Sequence, residues 1–250
     1  SYKSYNEFSQ IYDLLMDDVD YEKWTSFIID KTNKTNKTNR IECKKILEAA
    51  CGTGSITRLL TAKNYRVTAF DLSQDMLMRA YEKLGRSPGV KLLNLDMTNF
   101  KIDDRFDAAI CCCDGINYLD ENQVSSFFNN VYSHLNNNSR FIFDMSTEYK
   151  FKSMFNDTYV YDDGEIFYVW ENEMDESDNT VNMEINFFVK DASDKFARIN
   201  EIQTQYIHAS EVIIKLLNEA GFRDVEVYDD YSEKKLKEES LRAVFCAAKK

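Results

Sequence analysis

The sequence predicts an α/β protein, a doubly wound parallel sheet carrying one inserted antiparallel β meander, and three observations predict it. Between Lys44 and Met145 short apolar runs alternate with amphipathic stretches over short connections, the pattern of strands and helices in strict succession. Residues 149–205 break that rhythm with segments of two-residue alternation and no helical repeat. Beyond them, one more helical stretch and two strand-like runs return to the first pattern. The expected organisation is an α/β domain made of residues 1–148 and 206–250, with an N-terminal helical cap, and an inserted β-sheet subdomain of residues 149–205.

From Asn6 to Ile29, Phe8, Ile11, Tyr12, Leu14 and Leu15, then Trp24, Phe27 and Ile28, recur at helical spacing and predict two short helices. The tract KTNKTNKTN, residues 31–39, is polar and repetitive and reads as a solvated loop. KILEAA is the first strand and SITRLLTAK the helix after it; YRVTAFDLS is the second strand with its exit. QDMLMRAYEKL is the next helix, with Ser73 as its N-cap. VKLLNLD, FDAAICCC and RFIFDM are the third to fifth strands, and NQVSSFFNNVYSHL is a helix opened by Asp120 and Gln123 at capping-box spacing. In the meander the clearest strand is TVNMEINFFVK: Val181, Met183, Ile185, Phe187 and Val189 face one way, Asn182, Glu184 and Asn186 the other. Turns are marked by Asp162-Asp163-Gly164, by 175–179 and by 191–194. SEVIIKLLNEAGF is a helix closed by Gly221, followed by strands DVEVYD and LRAVFCAAK.

Composition narrows the function classes. Lys plus Arg number 31 against 43 Asp plus Glu, a net charge of −12, which does not suit a surface built to neutralise phosphates, so nucleic acid is a poor partner. The longest apolar run, Ala108 to Cys113, is far below the ~18 residues of a membrane span, so no membrane is expected. The opening SYKSYNEFSQ has neither a secretory nor a transit character, and a cytoplasmic protein is expected. Six cysteines, three of them contiguous, do not make a disulfide framework. With no CxxC pair and with His134 and His208 far apart, no metal site is expected.

The informative segment is ILEAACGTG, a strand ending in a glycine-bearing loop, where Gly52 and Gly54 let backbone approach a ligand. Asp71 ends the second strand nineteen residues beyond Gly52, about where an acid meets a ribose diol in dinucleotide sites. Asp96 ends the third strand, so a glycine loop and two carboxylates share one carboxyl edge. Thr57 stands where a nicotinamide fingerprint wants its third glycine, and Glu48, inside the first strand, would repel phosphate and suits a cationic or amino-bearing ligand. These two residues disfavour an NAD-dependent oxidoreductase on a related fold; a non-catalytic nucleoside-binding module is the other alternative.

ILEAACGTG together with FDLS and LNLDMTNF resembles the class I S-adenosylmethionine-dependent methyltransferases over nearly the whole chain. The resemblance implies a seven-stranded Rossmann-like sheet whose last strand, LRAVFCAAK, is antiparallel, and S-adenosyl-L-methionine as methyl donor, leaving S-adenosyl-L-homocysteine. It implies that Glu48 and the loop Ala50 to Gly54 contact the methionine part, Asp71 the ribose hydroxyls, Leu72 and Met76 the adenine face, and Asp96 with Met97 the adenine amino edge. Cys113 would offer its backbone near the sulfonium. Ala50 departs from the usual glycine, a familiar variant. YNEFSQIYDLLM is similar to the tyrosine-bearing helix that closes over the cofactor in amino-sugar N,N-dimethyltransferases, with Tyr5 and Tyr12 at the matching positions; two core aromatics on an amphipathic helix are the plainer alternative.

Methyl transfer from a sulfonium is an in-line displacement with a good leaving group, so orientation supplies much of the catalysis. The expected acceptor is a small molecule, methylated at an amine or hydroxyl. Candidates to position it lie in CCCDGINYLD: Asp114 to orient an amine or take its proton, or else to cap the turn beside Gly115; Asn117; and Tyr118, which by the same resemblance faces the acceptor. His208 is either a substrate contact or a half-exposed loop histidine, and His134 packs or caps its helix. Cys111 to Cys113 read as packing, since the Pro-Cys pair of the cytosine-methylating enzymes is absent. Phe167, Tyr168, Trp170, Phe187 and Phe188 form either a substrate wall or a subunit contact, so the meander is a lid, a substrate subdomain or the interface of a homodimer.

Overall fold

The computed structural model describes residues 11–13, 16, 18–39, 43–154, 158–190 and 193–250; Tyr5 lies outside them. A helical turn at 11–13 precedes α1 (Tyr21–Asn39), β1 (Lys45–Ala49), α2 (Ser55–Ala62), β2 (Arg66–Asp71), α3 (Gln74–Leu84) and β3 (Val90–Asn94). Then come β4 (Phe106–Cys111), a 3-10 turn (Gly115–Tyr118), α4 (Glu121–His134), β5 (Leu135–Ser146) and α5 (Glu148–Met154). The inserted strands are β6 (Tyr159–Asp162), β7 (Ile166–Asp175), β8 (Thr180–Lys190) and β9 (Phe196–Tyr206), and the chain closes with α6 (Ser210–Glu219), β10 (Arg223–Asp229) and β11 (Arg242–Lys249).

Seven strands form one sheet in the order β10-β11-β5-β4-β1-β2-β3, with β11 antiparallel to both neighbours and the other pairs parallel. Successive residues of a strand point to opposite faces, and the sequence fills both. Leu47, Phe70, Phe141, Phe143 and Phe245 join Phe127 and Phe128 of α4 and Ile213 and Leu217 of α6 on one face. Ile46, Val67, Ile142 and Val244 meet Trp24, Phe27 and Ile28 of α1 and Ile56 and Leu60 of α2 on the other. The chain runs outward from β1 to β3 and then returns to β4, so the crevice of the fold opens at the carboxyl ends of β1 and β4.

The inserted strands form a second sheet, β6-β7-β8-β9, antiparallel throughout, and β8 is TVNMEINFFVK as expected. Ile185 and Phe187 of β8 and Ile199 of β9 pack with Ile11, Tyr12 and Met76, while Val181 and Met183 pack on Phe151. This seats the sheet over the first turn of α3 and the N-terminal segment.

Two expectations are corrected. The KTN tract is helical, because α1 continues to Asn39. Contacts from distant chain hold its start: Lys31 is 4% exposed, its Nζ stands 3.9 Å from the Tyr228 ring centroid, and it bonds Glu233 at 2.9 Å. The inserted segment also opens with α5, whose single buried anchor, Phe151, carries too little apolar periodicity to be read as a helix.

Candidate active site

Glu48 sits in the middle of the buried β1, where its Oε2 accepts a 2.6 Å hydrogen bond from the Thr57 hydroxyl of α2. Burial pushes its pKa up to about 7, and the nearby Asp71 charge adds to the shift. Thr57, placed where a dinucleotide fold would have glycine, is therefore the residue that satisfies this acid. After β1, Ala50 and Gly52 take left-handed backbone at φ 52° and 53°. A Cβ on Gly52 would meet nothing within 4 Å, so this glycine keeps backbone bare toward open space rather than toward neighbouring protein. Gly54 differs: it packs beneath α3, 3.1 Å from Ala80 Cβ to an added methyl.

The two residues nineteen apart meet in the structure. Asp71 Oδ2 accepts from the Gly52 N–H at 2.8 Å and Oδ1 from the Ser73 N–H at 2.9 Å, joining the loop after β1 to the start of α3. Burial raises its pKa, with those backbone donors opposing the rise. Asp96 Oδ1 accepts from both the N–H and the hydroxyl of Thr98 at 2.7 Å.

These strand exits open on a cleft of about 730 Å³, within the usual range of small-molecule sites. Ala50, Gly52, Asp71 and Leu72 line it from the first two exits, Met76 from α3, and Asp96 and Met97 from the third. Tyr12, Cys113 and Tyr118 line it as well, and a small hollow bordered by Tyr21, Glu48 and Ser55 adjoins it. β9 supplies a wall that sequence reasoning missed: Glu201, Ile202 and Gln203.

The loop after β4 is held by an ion pair network. Cys113 and Asp114 are both left-handed, at φ 62° and 61°, and their consecutive N–H groups donate to the Asp144 carboxylate at 2.9 and 2.7 Å. Arg242 donates to Asp144 Oδ1 and Asp114 Oδ1, each at 2.7 Å, and the Tyr231 hydroxyl donates to Asp144 Oδ2. Asp144 and Arg242 were also missed, although an aspartate inside the apolar run RFIFDM demands a buried partner.

Three acceptor candidates therefore stand differently from expectation. Asp114 does not line the cleft: its carboxylate accepts from Arg242 and from Ser146 Oγ, and although burial opposes ionisation, the charges of Arg242 and Lys150 hold its pKa low. Buried Asn117 staples the loop to two strands, accepting from Ser146 N–H at 2.9 Å and donating to Tyr206 O at 3.0 Å. His208 is 3% exposed, lies outside the cleft lining, and bonds the Leu119 carbonyl through Nε2 at 2.9 Å; burial lowers its pKa. Tyr118 does reach the cleft, donating its hydroxyl to Gln203 Oε1 at 2.8 Å. Burial pushes the thiols of Cys111, Cys112 and Cys113 up, as suits packing rather than nucleophiles. His134 packs on Phe100 and accepts the Ile102 N–H at 3.1 Å.

Residues 46–138 match the methyltransferase domain family. Over 98% of its length the chain is 32% identical to the methyltransferase-family protein YqeM of Bacillus subtilis, covering 97% of that protein. A crystal structure of an S-adenosylmethionine-dependent methyltransferase from Clostridium acetobutylicum superposes with a TM-score of 0.86 at 36% identity, covering 98% of both chains. The chain belongs to the S-adenosylmethionine-dependent methyltransferases. The methyltransferase also shares its fold with the sugar N-methyltransferase KedS8 from Streptoalloteichus, at TM-score 0.78 and 17% identity over 96% of this chain and 92% of that one. S-adenosylmethionine is its cofactor, and the nicotinamide reading is set aside. The residues present fit that group: bare Gly52 backbone facing open space, an acid at the end of β2 and another just past β3, and a buried carboxylate at Glu48 rather than a phosphate-binding cation.

Proposed function

We propose that the methyltransferase acts on a small molecule, at an amine or hydroxyl. The observation that carries this reading is one cleft whose lining runs from the strand exits to Tyr118 and the β9 wall, a concave site of the size that takes small molecules. On this reading Glu48 and the loop Ala50–Gly54 hold the methionine part, Asp71 the ribose, Leu72 and Met76 the adenine face, and Asp96 with Met97 the adenine amino edge. Tyr12 closes over them, and Cys113 presents its backbone near the sulfonium. The cofactor supplies an electrophilic methyl on a good leaving group, so the chain's own task is to hold and orient the acceptor. Tyr118 touches it; Asp114 and His208 are positioning residues that brace the loop on which Tyr118 stands.

Residues 149–205 serve as the substrate-facing subdomain of the α/β domain formed by 1–148 and 206–250. Its exposed Tyr159, Val160 and Tyr161 on β6 support a homodimer through this sheet. Six free thiols support a cytoplasmic location.

The test is incubation with methyl-labelled S-adenosylmethionine and separate dialysable and non-dialysable fractions of a cell extract. Label in the dialysable fraction is expected; label confined to protein or RNA overturns the small-molecule reading. Cofactor binding with no transfer to either fraction favours the non-catalytic module.

A further inference from the structure

β9 breaks the rule that its partner obeys. Across the β8–β9 ladder Val181, Met183, Ile185 and Phe187 pair with Gln205, Gln203, Glu201 and Ile199 and share their face. The β8 members are buried and apolar, as the inner face of a half-buried sheet should be. On β9 that same face carries the buried Ile199 and then three polar residues in succession, Glu201, Gln203 and Gln205, while Ile202, on the other face of the strand and 67% exposed, borders the cleft at its edge. A strand built only to pack would carry apolar residues at these three positions as it does at Ile199, and such local departures from pattern occur at functional positions.

Two of these polar residues, Gln203 and Glu201, are bonded in series along the cleft wall. Tyr118 donates to Gln203 Oε1 at 2.8 Å, and Gln203 Nε2 donates to Glu201 Oε1 at 3.3 Å, so the Glu201 carboxylate ends the chain on the cleft wall. Among the described residues lining the cleft, the charged ones are Asp71, Asp75, Asp96 and Glu201, all acidic. Asp71 and Asp96 are engaged by the loops at the cofactor end, whereas Glu201 stands beside Tyr118. Such a wall repels carboxylate and phosphate acceptors and attracts a cation.

We propose that Glu201 is the acceptor-binding residue of this cleft and that the group presented to it is an amine, bound as its ammonium ion. This rests on the small-molecule reading above and narrows it from amine or hydroxyl to amine. Before the nitrogen can bond to the methyl carbon, whose bond to sulfur would break with its electron pair going to sulfur, it must lose a proton. That proton moves to a carboxylate oxygen of Glu201 while the N–H electron pair stays on nitrogen. Burial raises the Glu201 pKa above the ordinary glutamate value, which favours the acceptance.

The test uses the full chain saturated with S-adenosylhomocysteine and titrated with three amines, cyclohexylamine, benzylamine and glucosamine, against cyclohexanol, benzyl alcohol and glucose. In the wild type at least one amine is expected to bind about tenfold or more tighter than its alcohol, the scale of one charge-assisted hydrogen bond. Glu201→Gln should erase that preference while leaving S-adenosylhomocysteine affinity unchanged, which also reports that the variant is folded; Glu201→Asp should restore part of it. No amine preference in the wild type, or a preference that survives in Glu201→Gln, overturns the proposal. Alcohols bound in place of amines would defeat the Glu201 assignment and leave the small-molecule reading standing, whereas label confined to macromolecules in the fractionation experiment would defeat the reading itself.

Discussion

Glu48→Gln should make the cofactor-free protein more stable and the cofactor complex weaker, and the size of the first effect can be worked from the structure. Glu48 is 3% exposed, and burial lifts its pKa from 4.5 to about 7. At about 1.4 kcal/mol per pH unit, ionising this acid costs the folded state about 3 kcal/mol more than it costs the unfolded chain. Because the folded pKa is the higher one, the associated stability is fully present below pH 4.5 and is lost as pH rises through about 7. Glutamine keeps an oxygen for the Thr57 hydroxyl and never ionises. Urea unfolding without cofactor should show wild type and variant nearly equal at about pH 4.5 and separated by about 3 kcal/mol at about pH 8, the variant being more stable. Saturating S-adenosylmethionine should shrink or reverse the gap, since on the proposed assignment Glu48 pairs with the cofactor ammonium, and that ion pair, worth about 1.5 to 3 kcal/mol, is available only to the carboxylate. A stability gap independent of pH would refute the burial argument, and unchanged cofactor affinity would remove Glu48 from the methionine end.

Other substitutions probe the remaining parts. Asp71→Ala removes the acceptor of the Gly52 and Ser73 N–H groups together with the proposed ribose contact, and calorimetry should show S-adenosylhomocysteine affinity falling by about 1.5 to 3 kcal/mol; unchanged affinity would deny it the ribose. Gly115→Ala places a methyl 2.6 Å from Cys111 Sγ and 3.3 Å from Ala50 Cβ, an overpacking of about 1 to 3 kcal/mol in urea unfolding. Adding Cys111→Ala should recover part of that loss; no recovery would mean that the thiol is not the obstacle. Arg242→Met strands the buried Asp144 and leaves Asp114 without its guanidinium, so stability should fall by about 3 to 5 kcal/mol; a loss within experimental error would show the network to be dispensable.

The parts of the molecule legible in the sequence are those written in local pattern. Ile46 and Leu47, or Phe141 to Phe143, announce a strand buried on both faces, and Asp120 with Gln123 forms the capping box its spacing implied. Gly52 and Asp71, singled out by their spacing, do lie together and are hydrogen-bonded, a contact the spacing itself did not announce. What stayed hidden depends on residues far apart in the chain. Nothing near Lys31 reveals that Tyr228 and Glu233 will hold it in a helix. Asp114 looked like a free carboxylate beside a turn because Arg242, 128 residues away, supplies its partner. His208 looked available because the Leu119 carbonyl that takes its ring lies in a different element. The β9 wall was hidden for another reason: in FARINEIQTQY Ile199 and Ile202 fall on opposite faces, so the segment does not say which face is inward until β8 is laid beside it.

The two ends of the cleft are built by different stretches of chain, and this has a consequence for how the enzyme can change. On the proposed assignment the cofactor end comes from the exits of β1 to β3, which run parallel within one sheet, and the loop after β4 is clamped from behind by Asp144 and Arg242. The opposite wall is β9, an edge strand of a separate sheet that reaches the cofactor end through packing of Ile199, Phe187 and Met76. Substitutions at Glu201 or Gln203 alter no hydrogen bond in the glycine loop, so acceptor preference can shift while the cofactor site stays intact. Double-mutant measurements should then find Asp71 and Glu201 additive in cofactor affinity within about 0.5 kcal/mol. A coupling well above that would mean that the inserted sheet also shapes the cofactor end, and the division of labour between the two sheets would have to be given up.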